Sequence, residues 1–267
     1  MKKICIVFVC LTLVFSSVGF STAVTNDTIY VDDDGTADYT SIQDAVDVAI
    51  DGDTVYVYSG KYEEHVVISS KSITLQGEDK DSTIIDAGGD GTALFINATH
   101  DVSVSGFTFQ NSGKRTWIEA GIYVHDSNNC MITDNIIFDC GFGINVFPSS
   151  SITISENTMK NNEDGIFIAD SENVDVIRNH IEGNEYNGIF LNYLKTGSVV
   201  ENNFVHNKRH FGFYGAFSVE INANYWQRIV QMSFKPILGK LFMLVPIPGF
   251  LFDWNPVREP YNIDEGI

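Results

Sequence analysis

The sequence predicts an all-β fold, a right-handed parallel β-helix, from three observations: a segment repeated at a fixed interval, apolar residues aligned between copies, and a column of asparagines. Between Gly121 and Asn207 one segment occurs four times, beginning Gly121-Ile-Tyr-Val, Gly143-Ile-Asn-Val, Gly165-Ile-Phe-Ile and Gly188-Ile-Phe-Leu, with the glycines 22, 22 and 23 residues apart. A period of that length marks a solenoid, because one such copy cannot bury a face alone. One place after the glycines stand Ile122, Ile144, Ile166 and Ile189, and three places after them Val124, Val146, Ile168 and Leu191. Strand side chains alternate faces with period two, so these pairs mark a strand showing one face to a core. Eleven places on come Ile132, Ile154, Val176 and Val199, and sixteen on Ile137, Met159, Ile181 and Phe204. Asn135, Asn157, Asn179 and Asn202 lie fourteen places on, and amides stacked at about 4.8 Å hydrogen-bond along the stack. Three short strands per coil with an asparagine ladder at one bend describe the fold. The alternative is chance similarity within a β-sandwich.

A solenoid runs long as one unit, so a single domain is expected over residues 24–226. Met1-Lys2-Lys3, an apolar run to Phe20 and the small residues Ser21-Thr22-Ala23 have the form of a secretory signal peptide over 1–23. The alternative is an uncleaved anchor, although Ile4 to Val18 is short for a spanning helix. Thr40-Ser-Ile-Gln43 is a capping-box pattern, and Ile42, Ala45, Val46, Ala49 and Ile50 recur at helical spacing. They predict one amphipathic helix over about residues 40–50, placed to close the first coil. Thr54-Val-Tyr-Val-Tyr, Val66-Val-Ile, Ile73-Thr-Leu and Thr83-Ile-Ile are less regular early strands, and the regular coils run from about residue 93 to 222. In the first of these, Leu94, Ile96, Val102, Val104 and Phe109 fall on the inward columns, with Phe107 in the asparagine slot.

Gly113-Lys-Arg-Thr-Trp-Ile-Glu-Ala120 is an insertion that should loop out beside the next first strand, carrying the chain's one compact cationic and aromatic cluster in Lys114, Arg115 and Trp117. After Asn207 one further coil precedes a different tail, residues 227–267, expected to cap the last coil with bulk from Trp226, Phe250 and Trp254. Lys240, Pro246 and Pro248 interrupt its apolar run and exclude a membrane span. The second reading of the tail is that it dips into a membrane surface.

The formal charge is -19, and loss of Lys2 and Lys3 would make it -21, which repels phosphate backbones and excludes nucleic acid as a partner. Cys130 replaces inward residues of later coils and Cys140 replaces turn asparagines, so two free thiols are expected even where oxidation is permitted. Asp32-Asp33-Asp34-Gly35 lacks the alternating ligands of a calcium loop and reads as a solvated turn.

Tyr30-Val-Asp-Asp-Asp-Gly, Asp38-Tyr-Thr-Ser-Ile-Gln-Asp-Ala-Val-Asp47, Gly60-Lys-Tyr-Glu-Glu-His-Val66 and the Asn/Gly coils resemble the NosD-type, pectin-lyase-like β-helix family of exported microbial proteins. The resemblance covers residues 29 to 226. It implies carbohydrate binding or hydrolysis or, for the founding members, copper delivery to a periplasmic oxidase. The N-terminal pieces with Gly106-Phe-Thr-Phe-Gln-Asn-Ser-Gly113 are also similar to pectin methylesterases. The catalytic Gln-Asp-Thr-Leu and Asp-Phe-Ile-Phe-Gly segments of that family have no counterpart, and polygalacturonase signatures are absent too.

The expected ligand face is the outward side of the first strands. Two places after the glycine slot stand Phe95, Tyr123, Asn145, Phe167 and Phe190, and beside them Asn97, His125, Phe147, Ala169 and Asn192. Aromatic faces interleaved with amides suit a sugar chain, with Trp117 of the insertion alongside; stacked aromatics that only stabilise the sheet are the alternative. Candidate catalytic residues are Asp126, Asp170, His125 and Arg115. Asp126 and Asp170 occupy equivalent slots two coils apart, about 10 Å, at or beyond the upper end for an inverting carboxylate pair. The six histidines are scattered, so no metal site is assigned and no cofactor is expected; Ca²⁺ or copper is the alternative. The expectation is therefore an extracytoplasmic or secreted monomer that binds, and in a further step modifies, polysaccharide. A copper-handling accessory protein and an adhesive module without catalysis are the alternatives.

Overall fold

The computed structural model describes residues 26–216, 218–227, 235–240 and 248–263, so the expected signal segment lies outside the described residues. Each coil contributes one strand to each of three sheets, of nine, nine and eight strands, and all pairings are parallel except one C-terminal hairpin. The register is the one the repeat implies: Ile122, Ile144, Ile166 and Ile189 are successive partners, as are Val124, Val146, Ile168 and Leu191. Those eight side chains are fully buried, in one core that runs from Val31 to Ile237.

The asparagine ladder makes the corner between the second and third strands. Each rung donates its backbone N–H to the next amide oxygen: Asn135 to Asn157 at 3.0 Å, Asn157 to Asn179 at 3.0 Å, Asn179 to Asn202 at 2.9 Å and Asn202 to Asn224 at 2.9 Å. The side-chain N–H groups bond the same oxygens and the carbonyls of the preceding strand. Before each rung stands a left-handed residue, Asp134, Glu156, Arg178, Glu201 or Ala223, with φ between 54° and 57°. Such a residue is unfavourable without glycine, yet it turns the chain sharply. The amide bonds next to it hold the turn. A second ladder joins Cys140, Asn162, Asn184 and Asn207 between the third strand and the next coil.

The first ladder is closed at both ends. Phe107, in its slot one coil early, donates its N–H to Asn135 at 3.1 Å. At the other end Asp253 takes the N–H and the amide of Asn224 and the indole N–H of Trp226, at 3.0, 3.2 and 2.8 Å. The repeated glycine has a packing cause as well: a Cβ on Gly165 would stand 2.5 Å from the carbonyl oxygen of Gly188. Coils this close leave no room for a side chain there.

The N-terminal helix is Ile42–Val48, shorter than the expected span. Its cap is Ser41, one residue after the first position of the box, and Gln43 bonds Asp47 and Val67 instead of reaching back. Glu64 from the next coil supplies what Gln43 does not, accepting from the Ser41 hydroxyl and from Ile42 and Gln43 N–H at 3.0 Å each. A carboxylate at that end also suits the helix dipole. Ile42, Ala45, Val46 and Ala49 are buried as expected, but Ile50 is exposed, because the chain turns extended at Ala49 and leaves the helical face.

In the tail, Trp226 is buried and stacks on Phe204 with ring centroids 4.4 Å apart, which closes the core. Phe250 and Trp254 do not add bulk there. The tail forms an antiparallel pair, Lys235–Lys240 with Pro248–Asp253, whose alternation puts Ile237 and Asp253 inward and turns Phe250 and Trp254 to solvent.

Cys130 and Cys140 are free and buried, as the alignment implies. Burial pushes both thiols up, Cys140 to about 11, and the thiolate is the reactive form. Iodoacetamide at pH 8 should therefore leave Cys130 and Cys140 unmodified in the native protein and label both in guanidinium, as read by peptide mass mapping. Native labelling of Cys140 would contradict the packing.

Candidate functional site

The outward side of the first-strand sheet is organised by the 113–119 insertion. The loop is tied at its base by Glu119, which is buried and accepts the backbone N–H groups of Arg115 and Thr116. Its crest is tied to the sheet by Asn145, whose amide donates to the Trp117 carbonyl at 2.9 Å. That anchoring covers the middle of the expected face. Tyr123 and Asn145 are buried, whereas Phe95 on one side and Phe167, Phe190 and Asn192 on the other stay half-buried. The continuous aromatic strip expected from the alternation is thus divided into two.

On the far side of the loop the rings continue from coil to coil. Trp117 lies 6.0 Å from Phe142 and 6.2 Å from Phe167, Phe167 stacks on Phe190 at 5.9 Å, and Phe190 meets Tyr214 edge-on at 5.2 Å. Trp117 keeps 76% of its surface exposed while resting on this row. Beside it a cleft of about 250 Å³ is lined by Arg115, Phe142, Glu163, Asp164 and Tyr186. On the near side His65, Val67, Phe95, Ile118 and Tyr123 line a more apolar hollow of about 450 Å³. A third, of about 520 Å³, lies around the loop base with Lys61, Asp86, Lys114, Arg115 and Asp139.

Charge in these hollows is largely paired. Lys61 bridges Glu63 and Asp86 at 3.1 and 3.0 Å, and Lys114 meets Asp139 at 2.7 Å. Burial raises the Asp86 carboxyl, but Gln110, the Gly88 N–H, Asn111 and Lys61 outweigh it and hold it at about 2. Two carboxyls move the other way. Burial, and then Glu185, push Glu163 up, and burial pushes Asp164 up although Asn187 bonds it. Carboxyls that keep protons unusually well, in a cleft beside an exposed indole, have the character of functional groups. Sequence reading passed them over because they stand just before the glycine, where no residue type is fixed: Gly141-Phe142 and Tyr186-Asn187 hold the same places in neighbouring coils.

The four proposed catalytic residues are not gathered at one point. His125 ends the strand Ala120–His125, and Asp126 and Asp170 are exposed in the left-handed turns that follow the first strands. Arg115 lines the clefts at the other end of these strands, with Asp164, so Asp126 and Asp170 stand about 20 Å from it along the sheet. His125 instead bonds Asn97 at 3.1 Å and touches the rings of Tyr123 and Phe147.

A family model described as "Periplasmic copper-binding protein (NosD)" matches residues 46–235. The chain belongs to the NosD family. Its fold is shared more widely: an alginate lyase from Paenibacillus sp. str. FPU-7 aligns with a TM-score of 0.57 at 14% identity, over 74% of this NosD chain and 76% of that one. A pectin methylesterase from carrot aligns with a TM-score of 0.50 at 16% identity, over 77% and 75%. At these identities the likeness is one of fold. In sequence, the probable pectinesterase/pectinesterase inhibitor 6 of Arabidopsis thaliana is 40% identical over 95 residues, 30% of this chain and 17% of that protein. This NosD chain therefore spans about a sixth of that relative.

The family description raises copper, and the donors among the described residues do not form a set that fits it. Among the described residues no group of three or more His, Cys, Asp and Glu could hold a metal ion. The nearest approach is Glu182, which accepts from His180 and His206 at 3.2 Å each. Burial raises Glu182, but His206 and His180 outweigh it and hold it below the usual carboxylate range. The carboxylate thus bridges the two imidazoles. Cys130 and Cys140 are buried in the core.

Proposed function

We propose that this NosD-family protein is an extracytoplasmic polysaccharide-binding protein whose ligand lies along the Trp117 side of the loop, over Phe167 and Phe190. The observation that carries this reading is Trp117 itself: its ring is left in solvent, and it rests on Phe142 and Phe167 while its carbonyl is fixed by buried Asn145. An indole held open costs hydrophobic burial, and its value lies in presenting a flat apolar face to a sugar ring. Arg115 and Tyr186 on the rim supply donors for hydroxyls or carboxylates. Pectin methylesterase and alginate lyase, whose folds align, act on polysaccharides by name, which supports the same class of ligand. Modification of the glycan would fall to Glu163 and Asp164 before Asp126 and Asp170, since only the former pair stands beside the aromatic row.

Affinity gel electrophoresis against neutral and uronic-acid polysaccharides tests the reading. At least one should retard the wild type, and Trp117→Ala, with Asn145 still able to bond the backbone carbonyl, should weaken retardation about tenfold, equal to about 1.4 kcal/mol. Equal retardation of the variant, or none of the wild type, would sink the proposed face.

A further inference from the structure

The hollow on the near side of the loop is built differently from the two that Arg115 lines. Its floor is one row of cross-strand partners, Val67, Phe95 and Tyr123, taken from successive coils. Phe95 stacks on Tyr123 with ring centroids 5.1 Å apart and planes 9° from parallel, so one of its faces is covered. On the other side its neighbour is Val67, a shorter side chain that is itself 39% exposed. The second face of Phe95 therefore stands open over Val67, and exposed Ile118 of the loop forms a further wall. Thr92 fixes these parts relative to one another. Its hydroxyl donates to the Ile118 carbonyl at 2.6 Å and accepts the Ala120 N–H at 3.2 Å, and its carbonyl accepts from His65 Nδ1 at 2.9 Å. The hollow, of about 450 Å³, is in the size range of a small-molecule site, about 300–1,000 Å³.

Charge narrows what fits there. The walls carry two carboxylates, Asp90 and Glu119, and among the described residues no lysine or arginine, whereas Lys114 and Arg115 line both other hollows. Glu119 is buried, where its charge is felt more strongly than in water, and the net charge of -19 adds to the same field. A cation is favoured, but no group of three or more His, Cys, Asp and Glu among the described residues could hold a metal ion. A primary ammonium needs acceptors for all its N–H groups, which valine, isoleucine and phenylalanine do not offer. An alkylated ammonium has no such need. Its methyl groups carry the charge and pack on apolar surface at once, and the face of an aromatic ring attracts it.

We infer that this hollow binds an alkylated ammonium cation of the choline kind, with its methyl groups against the open face of Phe95, Val67 and Ile118 and its charge toward Asp90 and Glu119. The site lies across the loop from the Trp117 row, so it stands or falls independently of the glycan reading.

Ligand-observed NMR titration of the full chain tests the assignment, with choline as the probe and dimethylbutanol, the uncharged compound of the same shape, as its control. Choline should bind about tenfold more tightly than the control. Phe95→Leu keeps an apolar floor and removes the ring face. It should weaken choline about fivefold, with thermal melting followed by circular dichroism to show that the variant is folded. Asp90→Asn changes an exposed residue outside the core; it should weaken choline about threefold and leave the control unchanged. Phosphocholine separates a lipid headgroup from a free cation: its phosphate meets the same carboxylates, so it should bind more weakly than choline. No saturable choline binding, equal affinity for the uncharged control, full affinity in folded Phe95→Leu or in Asp90→Asn, or binding of phosphocholine as tight as that of choline would each overturn the proposal.

Discussion

Replacing Asn179 by alanine should destabilise the protein by about 4 kcal/mol, read as a lower midpoint in guanidinium. The Asn179 amide oxygen is the acceptor for both the N–H and the side-chain amide of Asn157, and its own amide donates to the carbonyls of Ile154 and Ile177. Asn157 and Asn179 are fully buried in this corner. The Asn157 N–H is left without a partner, which costs about 1–3 kcal/mol, and the bonds that the Asn179 amide gives to Ile154, Ile177 and Asn202 go with it at about 1 kcal/mol each. Arg178, in the left-handed turn beside it at φ 54°, loses its support as well. Because coils interact chiefly with their neighbours, hydrogen exchange should quicken first between residues 154 and 202. A change below about 1 kcal/mol would mean that the ladder is a by-product of the fold.

Asp253→Ala should cost a similar amount, about 4 kcal/mol by the same reckoning, but at one end. Three buried donors, two on Asn224 and one on Trp226, converge on its Oδ2. Asp253→Asn keeps an acceptor oxygen in place and should recover more than half of the loss. That contrast distinguishes acceptor geometry from simple volume. If alanine and asparagine behave alike, the closing role assigned to Asp253 is wrong.

The fold was legible because a solenoid writes the same physical demand once per coil. Ile122, Ile144, Ile166 and Ile189 meet the same need in the same register, and so do the ladder asparagines; repetition exposes them without any structure. Whatever occurs once was hidden. Asp253 lies 29 residues beyond Asn224, across a tail with no period. The bond from Asn145 to Trp117 crosses 28 residues and uses a carbonyl, which any residue type could supply. Alternation marked Tyr123 as outward and could not show that a loop would bury it. The same alternation placed Phe250 and Trp254 in the tail without saying which side they take. Glu163 and Asp164 were missed for a related reason, since only the crossing of loop and sheet makes their surroundings dry.

The ladder also has a direction. Every rung gives its N–H toward the C-terminal end and receives from the N-terminal side, so the series begins on a bare donor, Phe107, and each added asparagine passes the same demand onward. Such a series has no natural length. A whole coil can be gained or lost within it without altering any rung, but its final member always presents an unspent N–H. A carboxylate, which accepts and never donates, satisfies it and offers nothing further to hand on. Asp253 thereby works as a terminator: another molecule arriving end to end would meet a series already closed.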